Sequence, residues 1–288
     1  MAVLPLAEQT KDTTNLMLLY NNLVAYYKKS NRKAQAFEYE KKCLEYEGKC
    51  PVMQVASSLS MAGLLTSMNN LSLAEEYIEN AEKLLRNKDD RRTIAQISYY
   101  KARLEFARKN YNEAIKYIDL AYSYFVDKEY TNQIVAALSD KALFAKHNKD
   151  LSLYEDCINK LEGYIGEVKS ITYKYAATRP VAKYYIDKNN SAKAKLLMDN
   201  LDVSLDNIDW NNRDEFLELK ASIAKSERNY LQSIGCLEQL NVYQDSMRNA
   251  NVSNQIILSE QLYDREKKKQ EINQLNVKAD VAQANLNT

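Results

Sequence analysis

Tyr99–Ala121 reads YYKARLEFARKNYNEAIKYIDLA, and its pattern decides the fold. Two helical stretches flank a short polar turn, Lys109-Asn110-Tyr111. The first stretch carries a small residue, Ala102. The second carries Ala114, Ile118 and Ala121 at i, i+4 and i+7, which is one stripe of a 3.6-residue helix. Alanine at such positions lets two backbones approach closely, so the stretch predicts a helical hairpin with its closest contact built in.

The hairpin recurs along the chain. Aligning on Ala114 gives the series Ala36, Ala74, Ala114, Tyr154, Ala194 and Ser233, small in every copy but the fourth. Four residues on lie Glu40, Ile78, Ile118, Ile158, Met198 and Leu237, and seven on lie Cys43, Ala81, Ala121, Leu161, Leu201 and Leu240. Twelve residues back, in the first helices, lie Val24, Ala62, Ala102, Ala142, Ala182 and Ala221. A period of 38 to 40 residues with matching apolar slots is the signature of a stacked helical repeat. Leu71-Ser72-Leu73 returns as Leu151-Ser152-Leu153, and Lys101-Ala102 as Lys141-Ala142 and Lys220-Ala221, which supports duplication of one unit.

The bulk composition fits. The 288 residues hold 5 glycines and 3 prolines, little punctuation for sheets or long loops, with 45% hydrophobic and 27% charged residues. A net charge of +1 argues against direct contact with nucleic acid. No apolar run reaches the 18 residues of a membrane span, and MAVLPLAEQT lacks the basic leader of a secretion signal. Of the four cysteines, Cys43, Cys157 and Cys236 fall in second helices, where a thiol packs as a small hydrophobe. Cys50, in a turn beside Pro51, could meet Cys43 only if the helix end bends back, and the redox compartment stays open.

Two segments depart from the repeat. Pro180 sits inside the first helix of copy five, where a proline costs roughly 3 kcal/mol and should break or kink the helix. The loop that follows, Asp202 to Asn212, holds the only tryptophan, Trp210. After residues 1–246, the expected array, residues 247–288 change character. Leu258 and Leu262 are placed to cap the last repeat. Beyond them a charged run leads to Ile272, Leu275, Ala279, Ala282 and Leu286, whose steps of 3, 4, 3 and 4 make a short coiled-coil seam, through which two copies of the chain could pair.

The order of aromatic, small and large positions around each turn resembles the tetratricopeptide repeat, in copy one through Tyr20, Leu23, Tyr27, Asn31, Ala36 and Cys43. In copy three it runs through Ala102, Tyr111, Ala114, Ile118 and Ala121. The match covers about residues 14 to 245, with a period longer than the usual 34 and no proline after the second helix. It implies an all-α, right-handed superhelix of about six hairpins ending in a long helix. With the tail LYDREKKKQEINQLN, the chain also resembles the sensor regions of Bacteroidetes signalling proteins, in which such a helix leads to a membrane span and an output domain. On that resemblance residues 1–288 are an extracytoplasmic sensor piece of a membrane-anchored protein. The alternatives are a soluble adaptor and a cytoplasmic regulator similar to the peptide-responsive quorum-sensing arrays of Gram-positive bacteria.

Catalytic chemistry has little to work with. His147 is the only histidine and falls at a helix end, where the dipole favours it as a surface residue. No glycine-rich phosphate loop and no metal-spaced cluster is present, so neither an enzyme nor a cofactor is expected. Glu75-Glu76 and Asp89-Asp90 read as helix faces or caps. In the tetratricopeptide architecture the first helices line a concave groove, and counting from the register places Asn22, Tyr99, Tyr100, Arg103, Asp140, Arg179, Lys183 and Glu218 on or near it. Aromatic area mixed with charge suits a protein or peptide partner. The competing reading is that the charges are solvated and the tyrosines pack between repeats. The paired Lys/Asn arrangement that clamps carboxylates in some family members is not reproduced, since copy one has Asn21 and Ala25 there. Twenty-two tyrosines against five phenylalanines suggest many helix seams with wet hydroxyl tips.

Overall fold

A computed structural model describes residues 13–45, 51–85, 90–201, 205, 208–209 and 212–286. Among them are twelve helices and no strand. They pair in order as α1 (Thr13–Lys29) with α2 (Lys33–Leu44), α3 (Pro51–Ser67) with α4 (Leu71–Leu84), and α5 (Arg91–Ala107) with α6 (Tyr111–Asp127). The series continues with α7 (Thr131–His147) and α8 (Leu151–Tyr164), α9 (Ile171–Asp187) and α10 (Ser191–Asp199), and α11 (Arg213–Ser226) and α12 (Tyr230–Leu286). Consecutive first helices touch from α3 through α11, as a stacked array requires. Trp210, Cys50 and Asp89 lie outside the described residues.

The register positions carry the stack. Every one of the four series is buried except Leu237, which is 45% exposed; among the described residues no further hairpin packs on the sixth. Ala102, Ala114, Ile118, Ala121, Ala142, Ile158 and Leu161 join one core running through α5–α9. The sixth copy's serine serves the close contact in its own way: the Ser233 hydroxyl donates to the Ala221 carbonyl at 3.0 Å, across the pair of slots that alanines fill in copies two, three and five.

The hairpin turns explain how so few glycines suffice. Asn31, Asn69, Lys109, Lys149, Asn189 and Arg228 each take a left-handed φ between 53° and 66° at the same point of their copy. The next residue's N–H then closes back onto the helix, as from Asn110 to the Glu105 carbonyl at 2.9 Å, which satisfies an end carbonyl. Asn70, Asp150 and Asn190 follow as side-chain caps, accepting from the N–H of Leu73, Leu153 and Lys193.

Pro180 does not break α9, which runs unbroken from Ile171 to Asp187. Proline leaves the carbonyl four residues earlier, that of Ala176, without its helical donor. The Ser139 hydroxyl of α7 donates to it at 2.7 Å, so the packed neighbour supplies what the proline removes.

The expectation that Leu258 and Leu262 cap the sixth repeat is corrected. Leu258 is 2% exposed and, with Leu262, packs into the core of the first two hairpins, against a cluster holding Val24, Tyr27, Leu65 and Met68. Helix α12 is 57 residues long, against 14 for its partner α11. At 1.5 Å per residue, Leu258 lies roughly 27 Å beyond Leu240, out of reach of the sixth hairpin. The overshoot crosses to the turns of hairpins one and two. There Asn254 donates Nδ2 to the Asn31 carbonyl at 2.9 Å and its Oδ1 accepts from the Ala34 N–H at 3.3 Å. Gln255 donates to the Met68 carbonyl at 3.0 Å. The last helix thus ties the two ends of the array together as a strap.

Candidate functional site

One face of the array is walled mainly by first helices, and it holds two abutting hollows that share Tyr100 and Arg103. One, of about 290 Å³, lies among α5, α7 and α9 and is lined by Arg92, Gln96, Tyr99, Tyr130, Gln133 and Tyr173. The other, of about 280 Å³, lies among α1, α3, α5 and the start of α2 and is lined by Lys28, Lys33, Ser60, Gly63 and Ser67. Gly63 makes the shared wall possible. A Cβ there would stand 2.7 Å from Cε1 of Tyr100, so its absence lets the ring lie against the α3 backbone.

Tyr99 and Tyr100 stand edge-on, with ring centroids 5.6 Å apart. The Arg103 guanidinium sits over the Tyr99 ring at 5.9 Å, and its Nε is 3.7 Å from Asp140 Oδ2, an attraction but not a hydrogen bond. Asp140 Oδ2 is buried without a hydrogen-bond partner. Tyr99 and Asp140 hold Arg103 firmly charged, while burial and the neighbouring Asp140 push the Tyr99 phenol well up. The Tyr99 phenol lies between the two charged groups, and Asp140 Oδ2 keeps an unused acceptor.

Beneath the second hollow sits Glu40, fully buried in the slot that other copies fill with isoleucine, methionine or leucine. Its Oε1 is 3.4 Å from Lys28 Nζ, which also bonds the Ser60 hydroxyl and, at 3.1 Å, the Ser60 carbonyl. Glu40 Oε2 has no partner. Burial raises the Glu40 pKa and lowers that of Lys28, and the attraction between them only partly offsets both shifts. The pair is therefore a cost to folding relative to an aliphatic side chain. It holds the Lys28 ammonium at the rim of the hollow.

A third hollow, of about 370 Å³, lies further along the groove beside Tyr154, whose phenol burial pushes up to about 12. Here Arg179 Nε and Lys183 Nζ both reach Glu215, at 3.3 and 3.2 Å. Their charges are substantially neutralised.

Of the residues expected on the groove, Tyr99, Tyr100, Arg103 and Asp140 converge, and Arg179 and Lys183 meet at the third hollow. Asn22 and Glu218 are exposed and line none of the three hollows. Glu215, one turn before Glu218, faces the cations instead. Lys28, Lys33, Gly63 and Arg92 were missed. The visible signal for the first group was Glu40, a carboxylate in an aliphatic slot.

No family model and no curated protein sequence matches the chain. Solved structures do. BtubC (BKLC) from P. vanneervenii matches at 11% identity and a TM-score of 0.53, over 80% of this chain and 92% of that one. A Rap protein complexed with Competence and Sporulation Factor matches at 14% identity and a TM-score of 0.62, over 83% of this chain and 66% of that one. A putative kinesin light chain with TPR-like repeats from Podosopora anserina matches at 13% identity and a TM-score of 0.46, over 74% and 96%. The fold is a tetratricopeptide-like helical array. The likeness is one of fold, and the chain is a helical repeat protein.

Proposed function

We propose that the concave groove binds a segment of a protein or peptide, and that the chain is the sensor or interaction region of a bacterial signalling or transcription-regulating protein. The observation that carries the reading is the pair of abutting hollows sharing Tyr100 and Arg103. Together they offer a trough with aromatic walls and guanidinium and amide donors, the mixture that suits an extended chain. The Rap structure, solved with Competence and Sporulation Factor, lends support to a groove that takes a ligand.

In this reading residues 1–246 recognise and residues 247–288 transmit. The strap contacts of Asn254 and Leu258 join the two, so a change of groove curvature on binding would alter how α12 docks. Ile272 and Leu275, 56% and 63% exposed on α12, are the positions through which two copies would pair. An extracytoplasmic location goes with the sensor reading and a cytoplasmic one with a soluble regulator.

A pull-down with immobilised protein tests recognition. A partner retained by the wild type is expected to be lost with Tyr100→Ala or Arg103→Ala and kept with Asn22→Ala. Equal retention by all four proteins would remove the groove from consideration. Disulfide crosslinking through Leu275→Cys, with and without that partner, tests transmission; an unchanged pattern sinks it.

A further inference from the structure

We infer that the hollow among α1, α3, α5 and the start of α2 is a site for an acidic peptide segment, its carboxylates taken by Lys28, Lys33 and Arg103. The inference rests on the groove being a binding surface and names the chemistry of its occupant.

Three cations from three helices line this one hollow. Lys28 meets Glu40, which is fully buried behind it, at 3.4 Å. Lys33 donates only to the Ser67 carbonyl, at 3.3 Å, and has no carboxylate within ion-pair distance among the described residues. Arg103 is held more loosely, with the Tyr99 phenol beside it and Asp140 at 3.7 Å, an ion pair too long to be a hydrogen bond. Across Tyr100, Arg92 adds a fourth cation with no ion pair to a described residue. The third hollow is the control within the same groove, where Glu215 serves both Arg179 and Lys183. Lys33 and Arg92 are therefore left without an acid partner among the described residues at this end of the groove, beside Lys28 and Arg103, whose carboxylate partners Glu40 and Asp140 each make a single, long ion pair.

Burial lowers the pKa of both Lys28 and Lys33, the strain that an arriving carboxylate relieves. The cations stand on separate helices around an open trough, an arrangement for carboxylates spaced along a chain more than for one compact oxyanion. Past Tyr100 the neighbouring hollow offers Gln96 and Gln133, whose amides match the donors and acceptors of a peptide backbone. These cations come from the turn of the first hairpin and from α5, not from the copy-one positions held by Asn21 and Ala25.

The test is a synthetic peptide array of random octapeptides, probed with the whole chain at low and moderate salt, with inorganic pyrophosphate as a soluble competitor. Expected is enrichment of Asp and Glu among the retained peptides, with retention falling as salt rises. Lys33→Gln and Arg103→Gln should each weaken a retained acidic peptide roughly tenfold. Lys183→Gln should leave it within about twofold, because Glu215 already engages that lysine. Circular dichroism melts on each variant separate lost binding from lost folding. Retained peptides without acidic enrichment, still lost with Tyr100→Ala, overturn this inference while leaving the groove reading intact. An array that retains nothing overturns both. Pyrophosphate binding by a protein that ignores the acidic peptides assigns the hollow to phosphate and overturns the acidic-segment assignment.

Discussion

The middle of the array and the strap seam join helices by opposite means. Between α5 and α8 the contact is made by Ala102, Ala114, Ile118, Ala121 and Ala142, all fully buried and apolar. Where α12 meets the first two hairpins, Leu258 is the one deeply buried apolar anchor, with Leu262 partly buried beside it, and much of the rest is hydrogen bonding by Asn254 and Gln255 to turn backbone. The first seam draws on burial, which is non-directional and shared by many side chains. The second depends on donors and acceptors that water can replace when the helix lifts. A seam of that kind can open locally while the array stays folded.

The largest effect should come from the middle. Ile118→Ala removes a fully buried side chain from the shared core and should lower stability by about 3 kcal/mol in urea unfolding. If it costs no more than a surface substitution, the contrast between the seams is gone. Ser139→Ala asks whether the middle also contains an essential directional bond. It strands the Ala176 carbonyl beside Pro180, and about 2 kcal/mol should be lost. Replacing Pro180 by alanine in the same chain should recover most of that loss, since the helix then supplies its own donor.

Glu40 sharpens the contrast at the end where the strap docks. Its folded pKa is raised above the ordinary 4.5, so the stability tied to its protonated form is complete below that pH. That stability is lost as pH rises from 4.5 through the folded pKa. Wild type should therefore weaken relative to Glu40→Gln over that window and match it more closely at lower pH. A difference that stays constant across thermal melts at several pH values would mean that Glu40 titrates normally.

Asn254→Ala should barely move the global urea midpoint, because the cost of stranding its partners cannot exceed the cost of lifting the strap. Hydrogen exchange at the Ala34 amide, which donates to Asn254 Oδ1, should rise roughly tenfold. A large global loss would instead make strap and array one cooperative unit.

What could be read from the sequence follows the same division. The apolar slots were legible because burial repeats with the helical period, and Tyr154 and Ser233 in small slots did not hide it. The hollows were half legible: the helical register brings Tyr99, Tyr100, Arg103 and Asp140 together, whereas the acid that meets Arg179 and Lys183 is Glu215, three residues before Glu218. The strap was not legible. Asn254 bonds Asn31 across 223 residues, and nothing periodic marks a contact made by one amide and one leucine. Pro180 misled for a related reason, since its remedy, Ser139, comes from another hairpin.

The smallest expected effect uses one backbone feature found in both regions. Lys109 and Asn31 occupy the same turn position, with φ of 66° and 53°. A left-handed residue with a Cβ costs roughly 1 kcal/mol that glycine avoids. Lys109 is exposed and lies in the middle of the array, so Lys109→Gly should stabilise the chain by about 0.5 kcal/mol. Asn31 is 2% exposed under α12, and its Nδ2 donates to Met247 Sδ at 3.3 Å. Asn31→Gly relieves the same backbone strain but removes a side chain that fills the strap seam, so the gain should vanish or reverse. If thermal melts show both substitutions stabilising equally, the Asn31 side chain contributes nothing to the seam, and the docking of α12 rests on Asn254, Gln255, Leu258 and Leu262.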